Sequence, residues 1–173
     1  VFEVGASASQ RQPAKEVLSI LSKVGNAMVD TSPMYGSAEQ VVGDLTSELA
    51  ARDNLFLATK VWTNGRQQGI EQMNDSFRLL KTDRIDLMQV HNLVDWETHL
   101  ATLREWKQQG RIRYIGITHY HDGAHAALEQ LLRKQSLDFV QLNYSLAEPE
   151  AEARLLPLAA ERGIAVIVNR PFA

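Results

Sequence analysis

Short apolar runs alternate along the chain with longer stretches whose apolar residues fall three and four positions apart. The first periodic stretch puts Val17, Leu18, Ile20, Leu21 and Val24 on one helical face. It predicts a helix over 13–24, with Pro13 early in it and Gly25 as its stop. Residues 1–12 give no comparable signal. Ala27–Asp30 reads as a short strand, and Ser37 with Gln40 reads as a capping box that opens a helix over 37–52. The alternation then repeats. Strand 55–61 precedes a helix over about 67–80, and strand 85–91 precedes a helix capped by Asp95 and ended by Gly110. Strand 114–118 precedes a helix over about 122–134. Strand 139–143 precedes a helix ending near Arg162 and Gly163, with Pro157 in its first turn or at a bend. A last strand over 164–168 runs into Asn169-Arg170-Pro171-Phe172-Ala173.

Six strands, each following a helix, define an α/β chain with a parallel sheet. Neither a G-x-G-x-x-G nor a G-x-x-x-x-G-K-S/T sequence occurs, so nothing supports a doubly wound nucleotide fold or a P-loop. The regular repeat instead suggests a (β/α)8 TIM barrel. Such barrels usually take about 250 residues, and six strands cannot close an eight-strand ring. The 173-residue chain is therefore expected to form one domain covering about six of the eight β/α units, without the first strand or the eighth strand and its flanking helices. It opens on Val1, which gives the expectation of a processed or missing N-terminus.

Composition narrows the function classes. A formal charge of -3 argues against nucleic-acid and membrane-surface partners. The single basic run, Lys107 to Arg113, falls where a helix ends and a strand begins, a place that favours cations anyway. No segment has the length of a membrane-spanning helix and no signal-like region opens the chain, so the cytoplasm is the default expectation. The absence of cysteine excludes disulfides, thiolate metal sites and cysteine nucleophiles.

In a barrel of this kind the C-terminal strand ends open on one face, where catalytic groups gather. Here those ends carry Asp30, Lys60, His91, Thr118 with His119, Gln141 with Asn143, and Asn169 with Arg170, and Tyr35 stands in the first loop. Taken singly, each is an ordinary loop or structural residue. Taken together, they place several ionisable groups at one spot, which is costly unless they are paired. A free tyrosine is a poor acid at neutral pH because its pKa is about 10. A lysine beside Tyr35 is expected to lower that value, and an aspartate to keep the lysine charged and aimed. With a histidine to orient a carbonyl oxygen, Tyr35 becomes a general acid that needs neither a metal nor a covalent nucleophile. The electrons must then come from a hydride-carrying cofactor.

The segment Val29-Asp30-Thr31-Ser32-Pro33-Met34-Tyr35-Gly36, with Glu39 and Val42-Gly43 after it, resembles the signature of the aldo-keto reductase family. Ala58-Thr59-Lys60-Val61-Trp62, Asp86 to His91, Arg113 to Ile117 and Val140 to Tyr144 are similar to the next four blocks of that family, in the same order. The resemblance implies a (β/α)8 barrel that reduces aldehydes or ketones with NADPH. It implies Tyr35 as proton donor, Lys60 and Asp30 as its tuning pair, and His91 as the residue that orients the substrate carbonyl. On the cofactor side it implies Thr118, His119 and Gln141 at the nicotinamide carboxamide, where the family has Ser-Asn and Gln. Asn169 stands where many members place a tyrosine under the nicotinamide ring, and Arg170 is the candidate to reach cofactor phosphate instead.

His119, His121, Asp122 and His125 form a dense local set, but their spacing fits no metal-site pattern, and Asp122 is expected to cap a helix. Trp62 is expected either to line a substrate pocket or to pack on the barrel rim. The competing function is regulatory. Potassium-channel β subunits use the same barrel, and a protein of that kind binds cofactor as a sensor with negligible turnover.

Overall fold

Each predicted strand forms, because each is an apolar run of four to seven residues bounded by turns. The computed structural model describes residues 2–25 and 27–172; Val1, on which the expectation about the N-terminus rests, lies outside them, as does the closing Ala173. The elements are α1 (Ala8–Val24), β1 (Ala27–Asp30), α2 (Ala38–Glu48), β2 (Leu55–Val61), α3 (Arg66–Leu79), β3 (Ile85–His91), α4 (Trp96–Gln108), β4 (Ile112–Thr118), α5 (His125–Lys134), β5 (Phe139–Asn143), α6 (Leu155–Glu161) and β6 (Ala165–Asn169). The six strands pair in chain order and every pair is parallel. Each step between neighbours passes through a helix, which makes this a partial (β/α)8 barrel.

Helix ends depart from the sequence expectations for local reasons. α1 starts at Ala8, because the Ser7 hydroxyl accepts from the Gln10 N–H and caps a polar first turn; Pro13 therefore sits inside the helix. α2 is shorter than 37–52. The Ser37 side chain makes no cap bond and donates instead to the Val4 carbonyl, and the chain leaves the helix at Ala50 with a φ of 48°. Asp95 precedes α4, but in a left-handed conformation and without a cap bond; its Oδ2 accepts from the Gly65 N–H at 2.7 Å. Before α5 the chain makes a 3-10 turn over Asp122–Ala124 in which the His121 ring occupies the cap position, sharing the Gly123 N–H with Asp122. Pro157 does fall in the first turn of α6.

The two faces of the sheet carry different chemistry, because successive side chains point opposite ways. One face presents Leu57, Val61, Met88, Val90, Ile115, Ile117, Val140 and Leu142 to the helices, and all are buried with Leu18, Val41, Met73, Leu100, Leu103 and Leu128 in one core. Each such side chain contributes about 2 kcal/mol when buried. Gly43 lets α2 approach α3, since a Cβ there would lie 2.0 Å from the Leu79 carbonyl oxygen. The other face fills the barrel interior in layers. Near the strand starts, the rings of Phe56, Tyr114 and Phe139 meet with centroids 5.5 to 6.0 Å apart. Toward the strand ends the interior turns polar, with Lys60, Gln89, His91, Thr118, Gln141 and Asn143 all buried. The basic run is internally engaged: Lys107 pairs with Asp138, Arg113 pairs with Asp86, and Arg111 lies 3.7 Å over the Trp106 ring. Among the described residues no helix is long and apolar enough to cross a membrane.

Candidate active site

Parallel pairing sets β1 beside β2 and β2 beside β3, so Asp30, Lys60 and His91 rise side by side at the strand ends. Lys60 is 1% exposed. Its Nζ donates to both carboxylate oxygens of Asp30 and to the Thr31 carbonyl, each at 2.8 Å, so its three protons have three acceptors. The β1–α2 loop is tied in turn: Thr31 N–H donates to the Ala58 carbonyl and Tyr35 N–H to the Ser32 carbonyl. Gly36, with a φ of 54°, completes the turn in a conformation that favours glycine. The loop thus holds the Tyr35 ring 5.2 Å from Lys60 Nζ and edge-on to His91, with centroids 6.2 Å apart.

The electrostatics of Tyr35 differ from the sequence expectation. Its pKa is raised, first by burial and then by the Asp30 carboxylate. The reason is visible in the bonding of Lys60: its ammonium is committed to Asp30 and Thr31 and faces the tyrosine ring rather than bonding the hydroxyl. Burial in turn pulls the Lys60 pKa down, while Asp30 and Glu39 push it up. Tyr35 is therefore a protonated phenol at neutral pH.

His91 is held as a neutral imidazole. Burial, then Lys60, then His119 lower its pKa to about 4. The unfolded chain takes a proton near pH 6.5 that the folded protein refuses, so the contribution of this site to stability is complete above that pH. It is lost as the pH falls, by about 3 kcal/mol on reaching pH 4. Urea unfolding of the wild type and His91→Gln across this window should show that difference, with the variant losing less stability on acidification; equal slopes would contradict it.

A cavity of about 330 Å³ opens between these groups and the ends of β4 to β6. Tyr35, Lys60, His91, Thr118, Gln141, Asn169 and Arg170 line it, and Met34, Asn92 and Tyr120 complete the wall. Gln141 links the two sides: its Nε2 donates to Asp30 Oδ2 at 3.1 Å and to Asn169 Oδ1 at 2.8 Å, and its Oε1 accepts from Gln89 Nε2. Arg170 is half exposed and 3.3 Å from Glu148 Oε1. His119 is not brought to the cavity wall. Its Nδ1 accepts from the His121 N–H and its ring stacks on Tyr120, with centroids 5.4 Å apart. His125 is drawn to Asn143, and among the described residues no group of three or more His, Asp or Glu side chains is arranged to hold a metal ion. Trp62 stands beside the site, 42% exposed, with its ring centroid 6.5 Å from that of His91.

The model of the aldo/keto reductase family matches residues 2–173. The chain belongs to the aldo-keto reductase family. An aldo-keto reductase of Bacillus subtilis is 32% identical over 162 residues, which cover 83% of this chain and 47% of that protein. A methylglyoxal reductase of Escherichia coli is 31% identical over 176 residues, 98% of this chain and 61% of that protein. In structure, an aldo-keto reductase of Klebsiella pneumoniae, crystallised with NADP and acetate, superposes with a TM-score of 0.81 at 25% identity, over 98% of this chain and 61% of that one. The chain thus spans about half to three-fifths of the length of these relatives.

For an aldo-keto reductase, two wall residues, Asn92 and Tyr120, and one residue buried behind the wall, Ser32, are additions to the sequence reading. Ser32 reads as part of an ordinary loop, yet it is fully buried against His91. Asn92 follows His91 with a φ of 51°, and its Oδ1 is buried without a partner among the described residues. Tyr120 is separated from the end of β4 by His119, a histidine that draws attention first. A signal for Asn92 was present in its residue type, since asparagine tolerates the left-handed region that such a corner requires.

Proposed function

We propose that this protein reduces small aldehydes or ketones to alcohols with hydride from NADPH. The observation that carries this reading is a buried Lys60, paired with Asp30, that lines a single cavity together with a protonated Tyr35 and a neutral His91. The volume lies at the small end of the range for ligand sites, enough for a ring and a small carbonyl compound. Its wall also fits a carboxamide. Thr118, Gln141 and Asn169 offer a hydroxyl and two amides, and Asn92 Oδ1 is a buried acceptor in want of a donor. Thr118 and Gln141 would hold the carboxamide, which would take up the bond Gln141 now gives to Asn169. Arg170 would exchange Glu148 for cofactor phosphate.

Bound NADPH would supply a hydride to the carbonyl carbon. As charge develops on the substrate oxygen, Tyr35 gives it the phenolic proton and His91 donates a hydrogen bond to it. Lys60, close to the ring, stabilises the phenolate left behind, and Asp30 keeps Lys60 in place. Tyr35 is only half-buried, so solvent can return the proton.

The substrate class is small reactive aldehydes of the methylglyoxal type, in keeping with the cavity size and with the activity named for the E. coli relative. Steady-state consumption of NADPH with a panel of small aldehydes and ketones tests this. Saturable turnover is expected, best with the small 2-oxoaldehydes. Saturable NADPH binding without turnover on any member of the panel would instead support a regulatory protein.

A further inference from the structure

Ser32 is fully buried, and its Oγ lies 3.1 Å from His91 Nδ1. The same oxygen accepts a bond from the Met34 backbone N–H at 3.4 Å. These are the only partners of the hydroxyl among the described residues, and they decide which way the bond to His91 runs. A serine hydroxyl has one proton to give and two lone pairs. Met34 N–H can only donate, so it takes a lone pair. If His91 carried its proton on Nδ1, the hydroxyl would have to accept a second time, and its own proton would be left without an acceptor among the described residues at a fully buried position. If the hydroxyl donates to a bare Nδ1, every group is satisfied. A neutral imidazole with a bare Nδ1 holds its proton on Nε2.

We propose that Ser32 is a positioning residue that fixes His91 as the Nε2–H tautomer, leaving that N–H to meet a substrate carbonyl. Its catalytic consequence rests on the reductase reading, but the tautomer itself does not. The turn that carries Ser32 also carries Tyr35, whose N–H donates to the Ser32 carbonyl. One loop therefore sets both the phenol and, through the hydroxyl, the proton of the imidazole. Neither Lys60 nor Asp30 does this: no hydrogen bond joins either of them to the His91 ring among the described residues.

The test is long-range ¹H–¹⁵N correlation NMR of protein labelled at histidine, near neutral pH and without ligands, with the His91 signals identified by their absence in His91→Gln. The wild type should show protonated Nε2 and bare Nδ1. Ser32→Ala, which removes one oxygen, should give signals averaged between the two tautomers, and kcat/KM should fall about tenfold while NADPH affinity is unchanged. Ser32→Cys, a weak donor, should fall between. A wild-type His91 protonated on Nδ1 overturns the proposal, whatever the activity and whether or not the variants fold. So does a Ser32→Ala protein with wild-type tautomer and wild-type kcat/KM. A protein with the expected tautomer but no turnover would count against the reductase reading and leave the assignment of Ser32 standing.

Discussion

Replacing Tyr35 with phenylalanine is expected to lower kcat for carbonyl reduction by about a thousandfold while leaving NADPH affinity within about twofold of wild type. General acid catalysis is worth on the order of a hundred to ten thousandfold, and among the described residues no other acid faces the same position. Lys60 has its protons on Asp30 and Thr31, and His91 is neutral and too weak an acid to replace a phenol. The packing should survive, since the Tyr35 hydroxyl makes no hydrogen bond among the described residues and the ring keeps its place over Lys60. Stopped-flow single turnover and a cofactor titration on the same preparation separate the two effects. A variant that keeps more than about a tenth of wild-type kcat would remove Tyr35 from the role of acid.

Lys60→Met is the second large effect, and it falls on stability as well as on chemistry. Methionine fills a similar volume but cannot bond Asp30, and breaking a buried pair from one side costs about 3 to 5 kcal/mol. Asp30 is partly exposed, with its side chain at 24%, so the lower end of that range is expected. Adding Asp30→Asn removes the stranded charge, and the double variant should recover part of the loss. Denaturant unfolding of the four proteins gives the coupling directly. Additive losses would mean that the 2.8 Å contacts carry no net interaction.

Much of this was legible in the sequence, for a physical reason. Parallel strands buried on both faces must be apolar runs, and those runs stand out against helical spacing, so all six strands and their order could be read before any coordinates. In such a sheet the strand ends share one face, and Asp30, Lys60, His91, Thr118 and Gln141 could be named from position alone. What failed to show depended on which partner a side chain chooses. Ser37 looks like a helix cap, but the Val4 carbonyl takes its hydroxyl. Glu39, named in the sequence only as part of the family-like segment, turns inward and accepts from Thr59. The sign of the Tyr35 shift followed the same logic. Proximity of Lys60 suggested a lowered pKa, yet the three acceptors that hold the ammonium leave burial and Asp30 in control. Ser32 had no sequence signal at all, because its partner His91 is 59 residues away.

Hydride transfer itself can be followed atom by atom. The protein is mixed with NADPH carrying deuterium at its transferable position and with a small 2-oxoaldehyde, and the alcohol formed is weighed by mass spectrometry. One deuterium on the new carbinol carbon of each product molecule, formed by wild type and not by Tyr35→Phe, is the expected result. Alcohol without the label, or no alcohol from a protein that binds NADPH saturably, would contradict the proposed reaction.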